Sequence, residues 1–190
     1  MTARDWIRNA RPNLWLLPGD VTTNASQIFL NSSGAPINHI AEQLKPFTRN
    51  GLGLNYVVID TAPSVGGIQE RAIFASDLVL VPAACEFLAA DGVKKVFELM
   101  VSLQKNMQWT GKLAGLLPTF YDDRTSESKT QLEQYRDTFR ESTLTPIHRA
   151  TALRECPGMG QTIFEVESST SVARSVAEYQ SVVDHILRVR

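Results

Sequence analysis

The chain has 190 residues, 43% hydrophobic and 21% charged, an ordinary balance for a globular domain long enough to bury a core. Nineteen Lys and Arg against 20 Asp and Glu leave a net charge of −1, so no bulk positive field draws it to nucleic acid or a membrane surface. Two lone cysteines (Cys85, Cys156), three scattered histidines (His39, His148, His185), no signal-peptide pattern and no apolar run near the roughly 18 residues a bilayer requires lead us to expect a soluble cytoplasmic protein with reduced thiols and no structural metal.

Residues 1–13 read as a short helical or frayed lead-in, and Leu14 to Leu17 as a strand stopped by Pro18-Gly19-Asp20. A helix starting at Thr22 breaks at Asn31 to Pro36, and Ile37, Ile40, Ala41, Leu44 and Phe47 recur at helical steps over 37–48. Tyr56-Val57-Val58-Ile59 is apolar without alternation, the pattern of a strand buried on both faces of a parallel sheet. Asp60 ends it, placed either to cap the following turn or to hold a metal or orient a water at the ligand-binding edge of an α/β sheet.

A short helix follows over 68–76, then a buried strand over 77–82. A long amphipathic helix over about 89–106 presents Val93, Val96, Phe97, Met100, Val101 and Leu103 on one face. Leu113 to Phe120 reads as a strand, 126–140 as a charged helix with Leu132, Tyr135 and Phe139 inward, and Thr143 to Ile147 as a further strand. A loop through Arg149, Arg154, Cys156, Pro157 and Gly160 leads to a last helix over about 170–188, capped by Ser169 or Thr170. Alternating strands and helices without repeat or linker predict a single α/β domain over 1–190, a mostly parallel sheet covered by helices on both faces.

Taken in series, Val57-Val58-Ile59-Asp60-Thr61-Ala62-Pro63-Ser64, Ala75 to Pro82, Cys85-Glu86-Phe87, Leu116 to Thr125, and Leu153 to Gly160 with Phe164-Glu165 resemble the ParA/Soj-type partition ATPases of the deviant P-loop class, the ParA/MinD superfamily. The similarity spans nearly the whole chain in matching order. It implies a P-loop NTPase-like fold that binds ATP and Mg²⁺, with Asp60 acting on the magnesium through water and Pro63 and Ser64 in a switch that senses the γ-phosphate. It further implies that Thr119, Tyr121, His148 and Arg149 enclose the base, and that Arg124, Lys129, Arg149 and Arg154 lie where relatives bind DNA non-specifically as nucleotide-bound dimers. The partners implied are a second copy or an intact ParA-like relative and a ParB-like or other adaptor, with a cytoplasmic, nucleoid-associated location and no membrane.

Family members open with a strand and Lys-Gly-Gly-x-Gly-Lys-Thr, the phosphate-cradling loop. No Gly-Lys-Ser or Gly-Lys-Thr occurs in these 190 residues, and by the resemblance they correspond to the C-terminal two-thirds to three-quarters of such an ATPase. The base loop also has His148 and Ala150 where many relatives carry Pro and Asn. Without the cradle we expect no ATP hydrolysis by this chain alone. We further expect the Tyr56 strand either to leave unpaired amides or to pair directly with the strand over 77–81. Two readings stay open: a partition or positioning ATPase whose P-loop part is lost from this chain, and a catalytically dead ParA-like module that pairs with an intact relative. A hydrolase built on Ser64 is set aside because position 62 is Ala where a nucleophile elbow needs Gly.

Overall fold

The structure is a computed structural model that describes residues 8–19, 23–48, 53–61, 67–86 and 89–190. It divides into two compact units, one ending at Ser76 and the other running from Asp77 to Arg190.

In the first unit, β1 (Arg8–Arg11) and β2 (Leu14–Leu16) form an antiparallel hairpin. Its turn holds Asn13 at φ 60°, a left-handed conformation that Asn tolerates better than most residues. The expected helical lead-in is therefore corrected over residues 8–11: the Pro12-Asn13 turn folds them back onto the Leu14 strand. Helices α1 (Thr23–Ser32), α2 (His39–Leu44) and α3 (Gly67–Phe74) complete the unit. Pro46 converts the end of α2 into a 3₁₀ turn over Lys45–Phe47, and Phe47 is buried there.

Arg71 of α3 is buried and gathers carbonyls from two segments, the turn after α1 and the start of its own helix. Its Nη2 donates to Ala35 O at 2.6 Å, Nη1 to Gly67 O at 2.9 Å and Nε to Pro36 O at 3.4 Å. The fork geometry of guanidinium lets one side chain satisfy the turn that ends α1 and the first turn of α3 together.

The expected strand at Tyr56–Ile59 does not form. Residues 56–61 are irregular, and Val58 is 92% exposed and Val57 42%. Neither foreseen outcome occurs: among the described residues this segment forms no strand, so it neither leaves a gap of buried amides in a sheet nor pairs with β3, whose described partner is β4. The physical reason is that a strand apolar on both faces draws its stability from neighbours at its edges and layers on its faces.

The second unit is built on β3 (Leu78–Ala84) and β4 (Lys112–Thr119), paired in parallel with an irregularity between Val79 and Leu80. Side chains alternate across this pair. Val79, Val81, Ala83, Cys85 and Leu116 pack with Val93, Val96 and Phe97 of α4 (Ala89–Met107) and Leu132, Tyr135 and Phe139 of α5 (Ser126–Phe139). Phe97 and Phe139 stack with centroids 4.6 Å apart. On the opposite face Leu80 and Leu117 pack with Leu153 of α6 (Thr151–Glu155) and Tyr179, Val182 and Ile186 of α7 (Thr170–Val189). Helices thus cover both faces of a parallel pair, as the alternating pattern requires.

Thr125 caps α5 by accepting from Ser128 N–H, and Ser169 caps α7 by accepting from Val172 N–H. Gly115 makes room for the Leu144 side chain, because a Cβ there would lie 2.8 Å from Leu144 Cγ. The strand expected over Thr143–Ile147 is reduced to isolated parallel bridges, Leu116 with Thr143 and Tyr121 with His148. Leu144 N–H and Ile147 N–H still donate to Leu116 O and Pro118 O, but Pro146 has no N–H and interrupts the ladder.

Replacing Arg71 by Met, which keeps length and loses every donor, is expected to lower unfolding free energy in urea by about 1–2 kcal/mol, the cost of leaving partly buried carbonyls without a donor. Arg71→Lys should recover only part of it, since an ammonium does not reproduce the planar fork.

Candidate nucleotide-facing site

The carboxyl-terminal edge of β3 and β4 is where open α/β sheets bind ligands. Cys85 N–H donates to Thr119 O at 2.8 Å, so the two strands end level with each other. Phe120, just past β4, has φ 54°, a left-handed backbone that costs a bulky residue about 1–2 kcal/mol. Tyr121 then resumes the parallel pattern, its N–H donating to Ile147 O at 3.1 Å while Arg149 N–H donates to Tyr121 O at 2.9 Å. This ladder sets the His148-Arg149 loop beside Phe120-Tyr121.

The side chains interlock there. His148 meets Tyr121 edge to face with centroids 4.9 Å apart. Its Nδ1 lies 2.6 Å from Glu178 Oε1, and its backbone N–H donates to Glu178 Oε2 at 2.9 Å. Arg149 Nη2 donates to Glu86 Oε1 at 2.9 Å, and its guanidinium lies 5.9 Å from the Phe120 ring centre. Asp122 accepts from the backbone N–H, Nε and Nη2 of Arg124 at 3.0, 2.9 and 2.8 Å. Those hydrogen bonds hold its carboxyl well below the usual carboxylate range.

A pocket of about 470 Å³ opens among Cys85, Glu86, Asp122, Thr125, Glu127, Ser128 and Arg149. Its wall is fixed because α5 is fastened to the strand end: Tyr135 OH donates to Ala84 O at 2.9 Å and Ser128 Oγ to Cys85 O at 3.2 Å. Burial pushes the Cys85 thiol up to about 11, with Arg136 opposing, and the Tyr135 hydroxyl up to about 12. Cys85 is therefore a packing residue and not a nucleophile.

Thr119, Tyr121, His148 and Arg149, named from the sequence as base-enclosing, thus share one edge of the second unit. Asp60 lies in the first unit, exposed at the end of the irregular 56–61 segment. Pro63 and Ser64 fall outside the described residues. Arg124 precedes α5, Lys129 lies near its start and Arg154 in α6, all exposed. Sequence reasoning missed Glu86, Phe120, Asp122 and Glu178. For Glu178 a signal existed, since it occupies the buried stripe of α7 with Val172, Ser175 and Val182 at helical spacing, and an acid there needs a partner.

A profile of the family described as an AAA domain matches residues 2–112, more than half of the chain. The chain belongs to this family. Its place among the AAA domain proteins is ParA/Soj-type. The sporulation initiation inhibitor protein Soj of Bacillus subtilis is 28% identical over 152 residues, 80% of this chain and 59% of Soj. The chain spans less than two-thirds of that relative's length. A McdA variant of Cyanothece in complex with ATP superposes with a TM-score of 0.82 at 20% identity, covering 96% of this chain and 72% of that one. Cobyrinic acid a,c-diamide synthase from Mycobacterium smegmatis, with bound ADP and magnesium, gives 0.77 at 23%, covering 99% and 67%. At such identities the likeness concerns the fold, which is the P-loop NTPase-like α/β fold of the ParA/Soj-type AAA domain.

A Cys156→Ala variant isolates the Cys85 thiol for a thiol-reagent assay. At pH 8 a thiol titrating near 11 is about 0.1% thiolate, against roughly a tenth for an ordinary one at 9.0, so Cys85 should react only on unfolding. Because the folded value is raised, the stability it reflects is present below the ordinary pKa of 9.0 and lost as pH rises towards about 11. Alkaline loss of stability in that window should be reduced in Cys85→Ala.

Proposed function

We propose that the chain is the base-side and magnesium-side portion of a ParA-like partition or positioning ATPase. The observation that carries this is the ladder-held constellation of Tyr121, His148 and Arg149 at the strand edge, in the segments whose order matches the family. Tyr121, Phe120 and Arg149 offer an aromatic and guanidinium surface for a purine, with Thr119 at the strand end. Pro63 and Ser64 would follow Asp60 as the γ-phosphate switch.

Two cofactors are implied. Among the described residues no group of three His, Cys, Asp or Glu side chains could hold a metal, so Asp60 suits Mg²⁺ only as an ion that brings phosphate oxygens and waters with it. Asp60 would hold a nucleotide-bound Mg²⁺ through water, and the ion would supply the positive charge that neutralises the phosphates. ATP fits on its base side alone, because these residues contain no Gly-Lys-Ser or Gly-Lys-Thr cradle. Hydrolysis by this chain by itself is therefore not expected.

The same reading includes a dimer with a second copy or an intact relative, a ParB-like adaptor, and non-specific DNA contact through Arg124, Lys129, Arg149 and Arg154 in a cytoplasmic, nucleoid-associated setting. Arg124 and Arg149 hold Asp122 and Glu86, so DNA phosphates would have to displace those carboxylates. No described helix is long and apolar enough to cross a membrane. The second reading, a catalytically inactive ParA-like module that pairs with an intact relative, is favoured by the exposed Val57 and Val58.

Calorimetric titration of the purified chain tests both. Base contacts alone predict roughly millimolar dissociation constants, nearly equal for AMP, ADP and MgATP, weakened by Tyr121→Ala and with no phosphate release. Micromolar MgATP binding with weak AMP binding would overturn the view that the phosphates are uncradled. Absence of binding for all three nucleotides would overturn the base-side assignment and leave the inactive module.

A further inference from the structure

His148 of the loop before α6 and Glu178 of α7 are fastened to each other inside the second unit. Glu178 is nine-tenths buried in the middle of α7, 30 residues further along the chain, and its two oxygens are divided between the ring and the backbone of His148. Arg174, one turn earlier on α7, has its Nε 3.9 Å from Glu178 Oε1, too far for a strong hydrogen bond. The next residue of the loop is Arg149, whose N–H is tied to Tyr121 O and whose guanidinium bridges to Glu86 at the pocket. Glu178 therefore holds both the backbone and the ring of His148.

We propose that Glu178 is a positioning residue: from α7 it fixes the backbone and ring of His148 and so sets where Arg149 stands at the pocket. This rests on reading the 148–149 loop as base-enclosing. A carboxylate has no proton to give, so the short contact requires the hydrogen on Nδ1. Neutral His148 is then the Nδ1–H tautomer, with Nε2 left as an acceptor. Any ligand or partner that shifts α7 moves the same carboxylate and resets the loop with it.

The test uses the whole chain and needs no nucleotide, so its outcome stands apart from the titrations above. Long-range ¹H–¹⁵N spectra of the His148 ring at pH 8 should show Nδ1–H in the wild type. In Glu178→Ala, amide exchange at His148 and Arg149 should accelerate at least about tenfold while β3 and β4 amides are unchanged, since only the loop loses its acceptor. Glu178→Gln keeps an acceptor for the His148 N–H and offers its amide NH₂ to Nδ1. It should restore the slow exchange while moving the ring to the Nε2–H tautomer. An Nε2–H ring in the wild type would overturn the proposal. So would acceleration in Glu178→Ala that extends equally through β3 and β4, because Glu178 would then merely support packing.

Discussion

The parallel pairing of Leu78–Ala84 with Lys112–Thr119 is the constraint on which the rest of the described structure depends. It orients alternate side chains to two faces, and each face acquires its own core. One is closed by α4 and α5 around Leu116, Leu132 and Tyr135, the other by α6 and α7 around Leu117, Ile147 and Val182. It also brings the two strand ends level, so that the loops after them start from a shared edge. Tyr135 and Ser128 then use carbonyls that the strands have finished with, at Ala84 and Cys85, to anchor α5. The pocket, the Tyr121, His148 and Arg149 side chains and the cap of α5 all inherit their positions from that pairing.

The first unit shows what the same sequence grammar does without such a frame. Among the described residues its buried apolar side chains are Phe47, Ala72 and Ile73, whereas Leu14, Trp15, Leu16, Ile28, Phe29, Val57 and Val58 are exposed. Polar fastening takes a larger share there, with Arg71 satisfying carbonyls from the end of α1 and the start of α3. Local rules still operate: the Pro12-Asn13 turn closes a hairpin, and Pro46 tightens the end of α2. What fails is the element whose stability is wholly non-local.

Legibility in the sequence follows that division. Helices with a strong apolar stripe, such as α4 and α7, have the boundaries their periodicity suggests, and Ser169 caps as its position before Thr170 implies. The β3 and β4 strands were readable because their apolar runs have both a partner and two helical layers. Tyr56–Ile59 has the same composition and no strand, because composition states only what a segment would do if neighbours were supplied. Thr143–Ile147 was overcalled for a local reason, since Pro146 removes one donor from the ladder. Tyr121, His148 and Arg149 are named through the family pattern, and the structure brings them together at one edge. Glu178 is not named by it, because its role depends on a tertiary contact 30 residues away, although an acid in a buried helical stripe was the available clue.

Tyr121, His148 and Arg149 thus share one edge of the second unit, while Asp60 ends an irregular segment of the first. The central claim is that a strand-like sequence here lacks its strand. Residue-resolved amide hydrogen exchange measures this directly. Amides of Val81, Leu116 and Leu117 should be strongly protected, while those of Val57, Val58 and Ile59 exchange within about an order of magnitude of the unstructured rate. Protection at Val57–Ile59 comparable to that of β3 would contradict the account.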